Sequence, residues 1–229
     1  TTSSGQQQNE YRYRKKVISS LQSIDFKYVS VPGFKGKCTG ILQLRSHLMA
    51  AGTNGLFEIS NGRAIPVLPD SYIRFITPGL GDSTLFVGTD RSLFIFKLIN
   101  HRWEVVREMD ALGFSVYSAC MTDDSTLWLG SDNAAYKLSV DPYFFIDRFS
   151  ILPVSTKFSD EVNLRLINDK LYFLLSSGIF KLSGDSLITI REFEDLYSFP
   201  TYYFPNNRMI LFRSSGKWFY ISDDSASFA

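Results

Sequence analysis

A short hairpin, written five times along the chain, constrains the fold more than any other feature. LMAAGTNGLFEI (48–59) recurs as LFVGTDRSLFIF (85–96) and LWLGSDNAAYKL (127–138), and in worn form as LYFLLSSGIFKL (171–182) and ILFRSSGKWFYI (210–221). Each copy joins a short apolar strand to an aromatic-bearing strand. The joint is built of Gly, Ser, Thr, Asn and Asp, which favour turns. Measured on the returning aromatics Phe57, Phe94, Tyr136, Phe180 and Phe219, the spacings are 37, 42, 44 and 39 residues. A period near 40 with several short strands per unit points to propeller blades.

The rest of each unit fits that frame. Before the hairpins lie CTGILQL, SYIRFIT, SVYSACM, VNLRLIN and TYYFP; after the first four lie AIPVL (64–68), WEVVREM (103–109), YFFIDRFSI (143–151) and LITIREF (187–193). The expected fold is therefore all-β, a β-propeller of about five four-stranded blades over 25–229. The fifth unit runs out after KWFYIS (217–222), and FKYVSV (26–31) stands before the first unit without a blade of its own. Surplus and deficit match if the N-terminal strand closes the last blade and removes two free sheet edges. The competing arrangement is an open piece of a larger propeller. Residues 1–24 read differently: a polar tail, then a short amphipathic helix with Val17, Ile18, Leu21 and Ile24 on one face.

With 229 residues, 45% of them hydrophobic, the chain can bury a sizeable core. A net charge of +1 gives no global field toward nucleic acid or an anionic membrane. No apolar run approaches the length of a membrane span, and no secretory leader is visible in the polar start TTSSGQQQNE, as expected of a mature product or of a piece of something longer whose targeting lies elsewhere. Cys38 and Cys120 fit no metal spacing and are expected to be two buried small side chains without a disulfide.

The hairpin's glycines raise the question of a phosphate cradle. A phosphate loop needs its glycines between a strand and a helix start, with a Lys and a hydroxyl at fixed spacing. Here Gly52 and Gly55 lead into the strand-like Leu56–Ile59, and the Gly55 position is filled by other residues in the later copies. The expectation is structural: Gly52, Gly88 and Gly130 allow close packing of the strand, while Asn54, Asp90 and Asp132 bond the turn.

Catalytic signatures are weak. His47 and His101 fall at predicted turns, away from any metal or triad pattern. The carboxylates are scattered over turns and offer no glycosidase pair. Trp103, Trp128 and Trp218 lie within strands and are expected in the core. No catalytic residue, metal or cofactor is assigned.

Recognition is the stronger reading. Arg74 interrupts SYIRFIT and Arg165 interrupts VNLRLIN. Both runs are predicted innermost strands, where a polar side chain faces the channel and a guanidinium can take a carboxylate or pair with an acidic neighbour. Consecutive Tyr202 and Tyr203 point to opposite faces, so one can reach channel or surface. The expected ligand-binding residues are Arg74, Arg91, Asp132, Arg165 and Tyr202, at the face where hairpin turns meet the loops between units.

LWLGSDNAAYKL, LFVGTDRSLFIF and LMAAGTNGLFEI resemble the two-component regulator propeller repeat, whose core reads L-W-x-G-T-x-x-G-L-x-x-[IL]. The resemblance spans about residues 26–222, and the fourth and fifth copies keep only its hydrophobic frame and Ser-Ser-Gly turn. It implies a non-enzymatic sensor domain of a bacterial signalling protein, periplasmic or extracytoplasmic, binding a small molecule or glycan and linked to a signalling domain. Members commonly have more blades, and the family brings no fixed catalytic residues. A protein–protein scaffold and a propeller lyase or glycosidase are the rival readings.

Overall fold

The computed structural model describes residues 30–81, 83–110, 112–154 and 161–192, together with the strands between 201 and 228, where the description covers backbone pairing and the side chain of Tyr220. The chain divides into two compact units, Thr1–Pro32 and Gly33–Ala229. The helix predicted over 11–24 and most of FKYVSV lie outside the described residues.

The second unit is a run of four-stranded antiparallel sheets, each made of consecutive strands in sequence order. The first holds β1 (Cys38–Leu44), β2 (His47–Gly52), β3 (Gly55–Ser60) and β4 (Arg63–Pro69). The second holds β5 (Ile73–Pro78), β6 (Thr84–Thr89), β7 (Leu93–Ile99) and β8 (Arg102–Met109). The third holds β9 (Ser118–Asp123), β10 (Thr126–Gly130), β11 (Ala134–Val140) and β12 (Ile146–Pro153), and the fourth β13 (Asn163–Ile167), β14 (Lys170–Leu175), β15 (Gly178–Ser183) and β16 (Ser186–Glu192). A fifth holds β17 (Thr201–Phe204), β18 (Met209–Ser214), β19 (Lys217–Ser222) and β20 (Ser225–Phe228).

The first four sheets pack face to face as successive propeller blades. Met49, Leu56, Leu85 and Phe96 fill the seam between the first and second. Phe86, Ile95, Leu127 and Leu138 fill that between the second and third. Trp128, Ala135, Leu164 and Phe173 fill that between the third and fourth. The second strand of each blade is sandwiched, which is why TLFVGT and KLYFLL read as nearly unbroken apolar runs rather than as alternating ones. Each large side chain fully buried here contributes about 1.5–3 kcal/mol. The last strand of each blade is the opposite case: β12 is exposed along almost its whole length.

The structure corrects the predicted ending. The fifth unit does not lack its fourth strand: β20 pairs with β19 from Ser222↔Ser225 to Phe219↔Phe228. Its sequence, SASF, is short and mostly small and polar. Outer strands need no apolar run, so apolar patterning passed over it. With β20 in place, the fifth sheet has four strands without FKYVSV, and Ser30 and Val31, the described residues of that segment, are in no strand. The described packing supports four blades in succession; a closed ring of five is not supported. A second correction concerns the cysteines: Cys120 is buried as expected, but Cys38 is exposed at the start of β1.

The hairpin glycines do what close packing requires. A Cβ on Gly88 would run into the Phe75 ring, and one on Gly130 into the Val162 carbonyl and the Ser118 hydroxyl. A Cβ on Gly52 would meet the ring of Phe34. In each case a neighbour occupies the space a side chain would need.

Candidate functional site

The turns following these glycines hold the innermost strand of the next blade. Asp70 N–H donates to the Asn54 carbonyl at 3.2 Å, which fixes the approach to β5. Val162 N–H donates to the Ser131 carbonyl at 3.0 Å, and Asp132 and Glu161 form a backbone bridge at the entry to β13. Tyr117 N–H donates to the Gly130 carbonyl at 2.9 Å, one residue before β9. Side-chain hydroxyls add links between adjacent inner strands. Thr39 Oγ1 donates to the Ile73 carbonyl at 2.9 Å. Ser118 Oγ, wholly buried, donates to the Val162 carbonyl and accepts from Leu164 N–H, both at 2.9 Å.

These anchors bring three inner strands to one cleft. It measures about 400 Å³ and is lined by Tyr72, Arg74 and Phe75 of the second blade, Tyr117 of the third, and Glu161, Asn163 and Arg165 of the fourth. The cleft sits where the inner strands begin, the same end as the hairpin turns, because β5 and β9 run antiparallel to β6 and β10, with Ile73 opposite Thr89 and Ser118 opposite Gly130. Arg74 is exposed, and its guanidinium lies 5.2 Å from the centre of the Tyr117 ring. Arg165 is half-buried, and its Nη1 donates to the Leu164 carbonyl at 2.7 Å. Asn163 Nδ2 donates to the Glu161 carbonyl at 3.3 Å. Behind the wall, burial pushes the Cys120 thiol up to about 12, against the opposing pull of the Arg165 charge.

Arg74 and Arg165, predicted to share the channel, thus line one cleft. The other predicted residues do not join them. Arg91 is exposed and lines a separate cavity of about 510 Å³ with Asp90, Asp110 and the segment Leu112–Val116. That cavity is the larger, but Thr89 Oγ1 is engaged there by the turn N–H groups of Arg91 and Ser92, and Asp90 lies 3.9 Å from the Arg91 guanidinium. The Thr89 hydroxyl there is bound within the turn, donating to the Ser92 carbonyl as well. Asp132 is exposed beside Glu161 but outside the cleft lining. Tyr202 pairs through its backbone with Leu211, and its side chain lies outside the described residues.

Sequence reasoning passed over Tyr72, Tyr117, Glu161 and Asn163. Their common signal is position: each stands within a few residues of the start of an inner strand, where the loop between units enters the channel. Predicted turn residue His47 is instead the first residue of β2, with Nδ1 2.6 Å from Glu58 Oε1 and its ring edge-on to Trp103. Trp103 and Trp128 are in the core as expected, and Trp218 lies among the side chains outside the description.

No protein-family model matches the chain, and no curated protein matches it. Solved structures do. The chain is similar to the extracellular domain of a protein assigned as a hybrid two component system from B. thetaiotaomicron, with a TM-score of 0.64, 13% identity, and coverage of 89% of this chain and 29% of that one. It is also similar to the Cps50 (Swd1) β-propeller domain of Myceliophteria thermophila, with a TM-score of 0.62, 11% identity, and coverage of 87% and 70%. A Bacteroides thetaiotaomicron protein of unknown function gives 0.62 at 7% identity, over 84% and 57%. At these identities the likeness is one of fold, and it supports a propeller arrangement. The chain spans less than a third of the length of the two-component structure.

Proposed function

We propose that this propeller is a non-enzymatic recognition domain that senses a small molecule or glycan, and that the inner-strand cleft receives it. The observation that carries the reading is convergence: Arg74, Tyr117 and Arg165 come from three different blades into one polar cavity of about 400 Å³. Cavities of that size with a few convergent polar groups are the usual form of small-molecule sites. The likeness to an extracellular two-component domain supports a place in bacterial signal transduction, on the extracytoplasmic side. Among the described residues no helix is long and apolar enough to cross a membrane. The sensor reading therefore implies a linked or partner signalling domain.

A thermal-shift screen of the chain against neutral saccharides and organic acids tests the site. The reading expects a stabilising compound whose effect is lost in the Arg74→Ala, Arg165→Ala double variant. A compound that stabilises both proteins equally overturns the assignment. The gene's full-length product tests the context: a membrane span and a kinase-like domain support sensing, and their absence overturns it.

A scaffold for a partner protein is the second reading. It rests on a strip of exposed apolar side chains on and beside β12: Tyr143 at 71%, Phe149 at 67%, Ile151 at 53% and Phe145 at 52% exposure. Clustered exposure of that kind marks interaction surfaces. The polar lining of the channel cleft favours the sensor.

A further inference from the structure

We infer that the outer edge of β12 is a self-association surface, where a second copy of this chain pairs its own β12 antiparallel about a twofold axis at Ser150. The inference does not depend on the cleft's ligand. It gives to a second copy the strip that the scaffold reading gives to a foreign partner.

The first observation is the register of the outer strands. Each stands at the end of its blade's sheet, with one neighbour, and presents a row of backbone groups on its other side. A bulge in mid-strand bends such an edge away from further pairing. The extra residue is Val67 in β4, Val106 in β8 and Ile190 in β16, so no unbroken register in these strands exceeds four residues. β20 is itself only four residues long. β12 differs from all of them. Its bulge falls at Asp147, near its start, and the six residues from Arg148 to Pro153 pair with β11 without a break.

The second observation is what this regular edge carries. Phe149 and Ile151 lie opposite Leu138 and Tyr136, on the sheet face turned toward the second blade. Arg148 and Ser150 alternate with them and are exposed as well. With Tyr143, Phe145 and Ile146, the two apolar residues form an exposed strip. Aromatic side chains present about 150–250 Å² each, which puts the exposed part of the strip at roughly 500 Å². Two such strips reach about 1,000 Å², the lower bound for a specific interface.

The sequence of the edge chooses the occupant. A twofold interface needs a surface complementary to itself. Centred on Ser150, the unbroken run sets Phe149 against Ile151 of the second copy, twice over. Aromatic against β-branched is a favourable cross-strand pair. Arg148 then stands opposite Leu152 of the second copy, so no like charges meet. Other centres fit less well. One at Arg148 opposes two guanidiniums, and one at Phe149 draws in the bulged Asp147. One at Ile151 sets Phe149 against Pro153, which has no N–H to give. Backbone hydrogen bonds across the joined edges supply the affinity, as in strand addition generally.

Sedimentation velocity of the intact chain, from about 5 to 500 μM, measures the association, and a dimer with a micromolar dissociation constant is expected. Phe149→Lys and Ile151→Glu should each weaken it by about tenfold or more, with the far-UV spectrum unchanged. Mixed in equal amounts, the two variants should associate more tightly than either alone. The ammonium introduced in one then lies opposite the carboxylate introduced in the other. Amide exchange at residues 148–152 of the unaltered chain should slow as its concentration rises. A monomer throughout the range overturns the inference and leaves the strip to a foreign partner. A dimer that neither substitution weakens, a mixture no tighter than its components, or exchange at 148–152 indifferent to concentration overturns it too.

Discussion

The guanidinium of Arg74 lies 5.2 Å from the centre of the Tyr117 ring, across the seam between the second and third blades. One residue comes from an inner strand and the other from the loop leading into the next. Their meeting depends on Gly130, whose carbonyl accepts Tyr117 N–H and whose missing side chain leaves room for Ser118 and Val162. The repeat's turn thus sets the positions of the residues that line the cleft.

Gly130→Ala is expected to destabilise the fold by about 1–3 kcal/mol, the usual cost of forcing extra atoms into a packed site. The obstacle is backbone as well as side chain, because the new Cβ meets the Val162 carbonyl. Gly40→Ala is the control, since a Cβ there finds only ordinary contacts with Ile76 and Ala51. Urea unfolding of both variants checks this. Equal loss in the two contradicts it.

Ser118→Ala removes a buried hydroxyl that donates to Val162 and accepts from Leu164. Two backbone groups lose a partner, at a cost of about 1–3 kcal/mol each where burial keeps water out. A lowered melting temperature is expected, with faster amide exchange at Leu164. An unchanged exchange rate there contradicts the role assigned to the hydroxyl.

The two cysteines are expected to react differently. At pH 8 a thiol reagent should label exposed Cys38 in the native protein and reach Cys120 only after unfolding. The same burial gives a pH dependence with a definite sign. The Cys120 pKa is raised from 9.0 unfolded to about 12 folded, so the unfolded state releases its proton first. Its contribution to stability is full below pH 9 and falls as pH rises toward 12. In Cys120→Ala that alkaline slope should flatten. A wild-type slope in the variant contradicts the assignment.

Asp123 acts at the acid end. Desolvation raises its pKa, but hydrogen bonds from Ser125 N–H and from the Thr126, Ser125 and Thr122 hydroxyls outweigh it and hold the carboxyl below its ordinary value. Its stabilising contribution is present above the unfolded pKa of 3.8 and is lost as pH falls below that value. Asp123→Asn should lessen the acid-side loss of stability relative to wild type. An unchanged acid limb of the pH–stability curve contradicts this.

Much of this architecture was legible in the sequence because sandwiched strands write themselves as apolar runs. TLFVGT and KLYFLL could belong nowhere but inside a stack of sheets. SASF was not legible, since its small, mostly polar residues carry no apolar pattern and the strand shows itself only by its backbone pairing with β19. Cys38 misled for a related reason: it stands in an apolar-looking run, but at the end of an inner strand where the seam has not yet begun. Arg74 and Arg165 were legible as charges interrupting inner strands. Tyr72, Tyr117 and Glu161 were not, because what makes them site residues is the arrival of three blades at one point, and no local pattern encodes that.

Hydrogen exchange on the intact chain, with and without the compound that most raises its melting temperature, tests most directly that the inner-strand cleft is the recognition site. Protection is predicted at residues 72–75, 117–119 and 161–166, and none of it should appear in the Arg74→Ala, Arg165→Ala variant. Protection confined to the exposed strip at 143–151, with the inner strands unchanged, would contradict the sensor site and move recognition to the outer face of the third blade.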